Sequence, residues 1–215
     1  MENLKRLFET NRAIVSEITS KDPEFFARRA GKQEPHFLFI GCGDSRVPVE
    51  TLTGVAPGEM FVHRNIANQV RSVDLNLLSV LQYAVEVLDV KHVIVCGHYE
   101  CGGVKAAMGS QSYGLVDHWL AGIRDTCSRH EQELARQPDD ERRFRRVVEL
   151  NVLRQVYNLA RTPIVQGAWK RGRRPMLHGL VYDLQDGLLK DLVLEIDGND
   201  GVERMLGTGR RSIGD

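Results

Sequence analysis

Two short stretches of this sequence concentrate side chains that bind metal ions. One is Gly-Cys-Gly-Asp-Ser-Arg at 41–46 and the other is Cys-Gly-His-Tyr-Glu-Cys-Gly-Gly at 96–103. The first follows an apolar run, Phe37 to Ile40. A strand followed by Gly-x-Gly opens a dinucleotide-binding fingerprint, but that fingerprint needs a third glycine where this chain has Arg46. The residue between the glycines is a thiol, and Asp44 follows. A phosphate cradle has no use for a thiolate and a carboxylate, whereas a divalent cation does. In the second stretch His98 and Cys101 are separated by two residues, so both can reach one ion from a tight turn. Both stretches follow predicted strands, and sites in open α/β sheets lie beyond the carboxyl ends of parallel strands. Two thiolates, one imidazole and one oxygen position suit tetrahedral zinc, and three firm ligands with a variable fourth is the catalytic pattern. Taken singly, a buried cysteine beside a glycine is ordinarily a small apolar side chain, and a single histidine is ordinarily structural. The two halves together favour the metal. Cys96 and Cys127 read as core or structural. A redox pair of Cys42 and Cys101 leaves His98, Asp44 and Arg46 unexplained.

Asp44 has two roles open to it. It can bind the metal as a fourth ligand, or turn to the planar fork of Arg46 and leave that position to water. Zinc lowers the pKa of bound water to ~7, and an aspartate held by arginine stays ionised and can accept that water's proton in a hydrogen bond, orienting the hydroxide's lone pair. Gly102 and Gly103 let the backbone pack close to Cys101, and a helix starting there favours the thiolate through its dipole.

The elements that must position these groups follow from hydrophobic periodicity. Residues 2–30 read as helical, with Leu4, Leu7, Phe8, Ile14, Val15 and Ile18 roughly on one face and a second helix starting at Asp22-Pro23. Strands are expected at about 36–41, 60–63 and 92–97, the last a continuous apolar run covered on both faces. Helices are expected at 74–89, 114–130, 141–160 and 163–171, and a terminal hairpin at 176–183 and 192–196 with its turn at Asp186-Gly187. The tail from Gly207 reads as loose. Strands alternating with helices predict an α/β fold around a mainly parallel sheet, flanked by helices and preceded by an N-terminal helical arm at 1–34, in one domain of 215 residues. The 29 basic and 29 acidic residues balance, which gives no support to a nucleic-acid or membrane-surface role. The basic run at 170–174 reads as a solvated loop. No apolar stretch reaches the ~18 residues that span a membrane. The N-terminus carries early acids and no apolar signal core, and the four cysteines form no regular framework, so the expected location is cytoplasmic.

With these residues in view, GCGDSRVP (41–48), PGEMFVHRNIAN (57–68) and CGHYECGG (96–103) resemble the β-class carbonic anhydrases. The similarity extends through ELNVLRQVYNL (149–159) and HGLVYD (178–183) and is strongest to bacterial enzymes gated by bicarbonate. The resemblance implies a zinc lyase that hydrates carbon dioxide reversibly to bicarbonate and a proton. It implies Cys42, His98 and Cys101 as zinc ligands, Asp44 and Arg46 as a catalytic dyad, and Gln33, Tyr83 and Gly102 as substrate-binding positions. It also implies a homodimer or dimer of dimers, with N-terminal helices wrapped on the partner. In the gated subgroup the aspartate closes the zinc's open position when bicarbonate binds a neighbouring allosteric pocket built from a tryptophan, an arginine and a tyrosine. Arg64 and Tyr182 match two of these, but the tryptophan position is Phe39. Phenylalanine lacks the indole N–H donor. A hydrogen bond to a charged acceptor is worth ~1.5–3 kcal/mol, so bicarbonate inhibition is expected to survive in weakened form. Two other readings stay open: a zinc hydrolase of a carbon dioxide analogue such as carbon disulfide, and a zinc-stabilised binding module without chemistry.

Overall fold

A computed structural model describes residues 2–172 and 174–210, without the side chains of 207–210. Contacts divide the chain into two compact units, one ending at Glu34 and the other starting at Pro35.

The first unit holds α1 (Glu2–Lys21) and α2 (Ala27–Ala30). Helix α1 has Glu2 in its first turn and Lys21 in its last, both favoured by the helix dipole, and it buries none of its residues. Pairs four residues apart, Lys5 with Glu9 and Glu17 with Lys21, lie along its exposed surface. The second helix does not restart at Pro23 as expected. The Asp22 carboxylate is bound chiefly by the Arg28 guanidinium, with a weaker bond from the Glu24 amide, and residues 23–26 form a turn.

The second unit contains β1 (Phe37–Cys42), α3 (Val49–Thr53), β2 (Met60–Asn65), a 3-10 turn at Ile66–Asn68 and α4 (Leu75–Gln82), which runs into a π-helical turn at Tyr83–Val87. It continues through β3 (His92–His98), α5 (Gly102–Met108), α6 (Leu115–Arg129), α7 (Glu131–Ala135), α8 (Asp140–Ala160), α9 (Pro163–Lys170), β4 (Met176–Tyr182), β5 (Leu189–Ile196) and α10 (Asn199–Arg210). The sheet order is β2-β1-β3-β4-β5. The first three pairings are parallel and only β5 runs antiparallel, so the sheet is mainly parallel as the alternation of elements predicts. The sequence reading did not anticipate α3, α7 or α10. Helix α3 is only five residues long and is ended by Gly54 in the left-handed region, too short for periodicity to register. The start of the tail, through Arg210, is helical backbone and not loose; residues 211–215 lie outside the described set, as does Arg173 of the basic run.

Side-chain alternation gives the sheet two cores. Leu38, Ile40, Val93, Val95, Leu177 and Val181 pack with Val148, Val152 and Val156 of α8 on one face. Phe39, Ile94 and Cys96 pack with Val49 on the other. Helix α8 lies very close to the sheet because Gly97 is bare. A Cβ there would stand 2.6 Å from the Val152 side chain. That close approach falls on the residue immediately before His98.

Two histidines expected to be structural form a specific pair at the opposite end of the strands. His178 Nδ1 accepts the Glu195 amide at 3.2 Å, and His178 Nε2 lies 3.0 Å from His92 Nδ1. An acceptor at Nδ1 requires the proton on Nε2, so His178 donates to His92 and both rings are neutral. The pair sits at an irregularity in the β4–β5 register, and Glu195 has a φ of 57°. Burial is the main cause lowering both pKa values; neighbouring Arg174 and Lys91 add to it at His92, His92 adds to it at His178, and Glu195 opposes it at both. A histidine whose folded pKa lies below its unfolded value of about 6.5 gives full stability above that pH and loses it as pH falls toward the folded value. His178→Asn keeps an acceptor near Glu195 N–H and cannot titrate. In denaturant titrations at pH 8 and pH 5, the wild type is expected to lose more stability on acidification than the variant; equal losses would show that the pair is not linked to pH.

Candidate metal centre

Strands β1 and β3 are parallel neighbours, so their carboxyl ends deliver Cys42 and His98 to the same edge. Cys101 follows one turn later, at the start of α5. The two sulfurs are 3.9 Å apart, and the donor atoms of Cys42, His98 and Cys101 all lie within 4.8 Å of one another. All three residues are buried. His98 Nδ1 is 2.8 Å from the Tyr99 carbonyl, which can only accept, so Nδ1 carries the proton and Nε2 presents its lone pair. That Nε2 is a buried polar atom with no hydrogen-bond partner, aimed into the thiol cluster. An orphaned acceptor beside two sulfurs is what a soft-to-borderline cation requires, and the donor set fits zinc.

The thiols do not titrate alike. The Cys42 pKa is lowered, first by the neighbouring Cys101 thiol and then by His98 and the amides of Ala67 and Asp44, against the opposing effect of burial. The Ala67 amide is 3.4 Å from its sulfur. The Cys101 pKa is raised, first by that same Cys42 sulfur and then by burial, while the amides of Val104 and Gly103 oppose the shift. One thiolate is welcome here; a second needs a cation between the two.

Asp44 lies beside this cluster, and the structure holds it in one of the two arrangements left open by the sequence. Arg46 grips it in a fork, with Nε 3.0 Å from Oδ1 and Nη2 2.8 Å from Oδ2, and the Arg46 amide adds a third bond at 2.9 Å. The guanidinium is the main cause holding the Asp44 pKa down at about 2. Its Oδ2 remains 3.7 Å from His98 Nε2. The same Arg46 Nη2 reaches the Glu100 carbonyl at 3.1 Å, tying the dyad to the spacer between His98 and Cys101.

The other sequence candidates fall in different places. Arg64 points its Nε at the Cys42 carbonyl, 2.8 Å away, and its Nη2 at the Asp44 carbonyl, so its guanidinium braces the ligand loop. Phe39 is fully buried, and its ring covers Gly41, where a Cβ would meet it at 2.4 Å. Tyr182 packs against the same small core as Phe39. His63 faces away from Arg64, as strand alternation requires, and meets the Asn65 amide. Tyr83 is exposed, with its ring 6.0 Å from that of Phe61. Gly102 opens α5 with no atom within 4 Å of the Cβ it lacks, so its backbone faces open space beside Cys101. Gln33 belongs to the first unit and is exposed.

Sequence reasoning missed a layer of buried amides behind the candidate ligands. Gln69 donates to the Ala67 carbonyl and to Asn151, each at 2.8 Å. Asn151 also donates to the Ala67 carbonyl, and Gln155 accepts the Val70 amide and donates to Asn151. Helix α8 thus holds the 67–70 segment whose Ala67 amide faces the Cys42 sulfur. The available signal was a polar stripe at 151, 155 and 158, helical spacing on an otherwise apolar face.

The carbonic anhydrase family model matches residues 37–189. A carbonic anhydrase of Emericella nidulans is 48% identical over 193 residues, covering 90% of this chain and 85% of that protein. One from Candida albicans is 34% identical, covering 90% of this chain and 69% of that protein. Among solved structures, a Coccomyxa β-carbonic anhydrase in complex with acetazolamide superposes with a TM-score of 0.89 at 38% identity, covering 97% of each chain. A tetrameric β-carbonic anhydrase of Sordaria macrospora gives 0.85 at 36% identity, covering 89% of this chain and 98% of that one. Fold and site together define a carbonic anhydrase, an enzyme class whose general reaction is the hydration of carbon dioxide. Within that class, the chain belongs to the β-carbonic anhydrase family.

The purified protein is expected to carry about one zinc per chain by elemental analysis, and Cys42→Ser to lose most of it on dialysis. Undiminished zinc in that variant would remove Cys42 from the ligand set.

Proposed function

We propose that this chain is a zinc-dependent carbonic anhydrase that interconverts carbon dioxide and bicarbonate, with Cys42, His98 and Cys101 holding the metal. The observation carrying this reading is the unpartnered His98 Nε2 pointing between two buried sulfurs, with an ionised carboxylate 3.7 Å away. Zinc bound there supplies Lewis acidity that brings the pKa of water to ~7. The protein does the rest. Arg46 keeps Asp44 ionised and fixes its orientation. Asp44 Oδ2 then accepts a hydrogen bond from water at the open side of the cluster and orients its lone pair toward the substrate. Gly102 leaves that side free of side chain for a small linear substrate. A closed structural zinc site would take four protein donors, whereas here the fourth candidate is committed to Arg46, which favours catalysis over a passive module.

The chain is proposed to work as a homodimer or dimer of dimers. Helix α1 leaves Leu4, Leu7, Phe8 and Ile14 exposed, and the Sordaria macrospora relatives are tetrameric. No helix among the described residues is long and apolar enough to cross a membrane, and the four free thiols suit a reducing, cytoplasmic setting.

Stopped-flow carbon dioxide hydration tests the reaction. Zinc-loaded protein is expected to be active, with the rate rising from neutral to alkaline pH. Asp44→Asn is expected to keep its zinc and lose roughly 10²-fold or more in rate. An inactive zinc-loaded wild type would sink the assignment, and a fully active Asp44→Asn would sink the water-orienting role of Asp44.

For the gate, the proposed reading is an Asp44 that can leave Arg46 for the metal, with weak inhibition by bicarbonate because Phe39 offers no donor. Bicarbonate titrations of wild type and Phe39→Trp are expected to show tighter inhibition in the variant by roughly one to two orders of magnitude. Identical inhibition curves would exclude this account of Phe39.

A further inference from the structure

The two residues between His98 and Cys101 carry more of the site than their side chains suggest. The Tyr99 carbonyl accepts His98 Nδ1–H at 2.8 Å, and the Glu100 carbonyl accepts Arg46 Nη2 at 3.1 Å. One carbonyl therefore sets the imidazole and the next sets the dyad. Glu100 adopts a φ of 58°, a conformation that a residue with a Cβ does not choose unaided. Something must hold this spacer in place.

The Tyr99 side chain is where it is held. Its amide donates to the Tyr182 carbonyl at the end of β4, at 3.0 Å. Its ring is only 4% exposed, and its hydroxyl donates to Glu149 Oε1 on α8 at 2.8 Å. The Arg145 guanidinium stands 3.5 Å from the ring centroid, and Lys190 stands 5.3 Å away. Both cations bind the same Asp183 oxygen, at 2.8 and 2.9 Å. Glu149 is itself fixed by Arg146 at 2.8 Å. Residues from α8, the end of β4 and the start of β5 thus converge on one phenol, and none of them is a metal ligand.

We propose that Tyr99 is a positioning residue of the metal centre and that Glu149 is its anchor. This rests on the zinc reading given above. The phenol–carboxylate bond fixes the peptide whose carbonyl locks the His98 tautomer and ring plane, so it acts on the metal through His98. Partners that orient a ligating histidine typically change metal affinity by 10–100-fold when removed.

The test uses full-length, zinc-loaded Tyr99→Phe, Glu149→Gln and Glu149→Ala. Two readouts follow the metal: its rate of transfer to a chromophoric chelator, and the visible spectrum of the cobalt(II)-substituted protein. A third is the unfolding stability of the metal-free chain. Tyr99→Phe and Glu149→Ala are expected to release metal roughly 10-fold faster or more and to shift the cobalt bands. Glu149→Gln is expected to stay near wild type, since an amide can bond a hydroxyl with either of its ends. Should Glu149→Ala fail to fold, the comparison of Tyr99→Phe with Glu149→Gln decides. Wild-type release and spectrum in Tyr99→Phe would overturn the proposal, and so would a loss of metal-free stability with both metal readouts unchanged. A Glu149→Ala with wild-type metal release and spectrum would overturn the anchoring role. If the wild type itself retains no metal, the zinc reading falls and takes this proposal with it. A wild type that retains zinc while Tyr99→Phe behaves identically removes this proposal alone.

Discussion

Two sulfurs and an imidazole nitrogen crowded into one buried space set the terms for everything around them. At a separation of 3.9 Å the thiols cannot both give up their protons unless a positive charge comes between them. The fold creates that conflict on purpose of geometry alone: neighbouring parallel strands end together, so whatever stands last on β1 and β3 must meet. Residues with no charge of their own keep it from relaxing. Bare Gly97 lets α8 press against the sheet just before His98, and Gly103 does the same for the start of α5, where a Cβ would come within 2.8 Å of Ile66.

The surrounding charges divide the work. Arg64 and Arg46 lie close to the same loop but grip different parts of it. Arg64 binds main-chain carbonyls on either side of Gly43 and so fixes where the loop runs. Arg46 binds the Asp44 carboxylate and so fixes which way the acid faces and that it stays charged. Each guanidinium presents two donors in one plane, which suits both tasks and which a lysine could not reproduce.

Much of this was legible in the sequence because it is local. The thiol between two glycines, the histidine two residues from a second thiol and the apolar runs before each can be read within short windows, and they point to the strands, to the cluster of Cys42, His98 and Cys101, and to the Asp44–Arg46 pair that the structure brings beside it. The helix of 141–160 was legible too, but its purpose was not. Asn151, Gln155 and Glu149 matter because they meet Ala67, Val70 and Tyr99, residues 50 to 85 positions away along the chain. Periodicity tells that a face is buried and does not tell against what. His92 and His178 are hidden for the same reason, since only the β3–β4 pairing brings them together. Arg64 shows the converse. Its residue type fitted a pocket for an anion, and what the sequence did not announce is that two of its nitrogens, Nε and Nη2, also serve the chain's own carbonyls.

Ala67, Asn68 and Glu100 all have left-handed backbone, at φ values of 60°, 47° and 58°. For residues other than glycine each such conformation costs roughly 1–2 kcal/mol. Two of them are held by bonds that converge on the candidate ligands: Ala67 by its amide on the Cys42 sulfur and its carbonyl on Asn151 of α8 and on Gln69, Glu100 by its carbonyl on Arg46. The segments beside the candidate metal ligands are therefore also the ones with most to gain by opening once those bonds weaken. On the proposed zinc reading, a chain starved of the metal would present these loops to a protease before the sheet, and its lifetime in a cell would follow the local zinc supply.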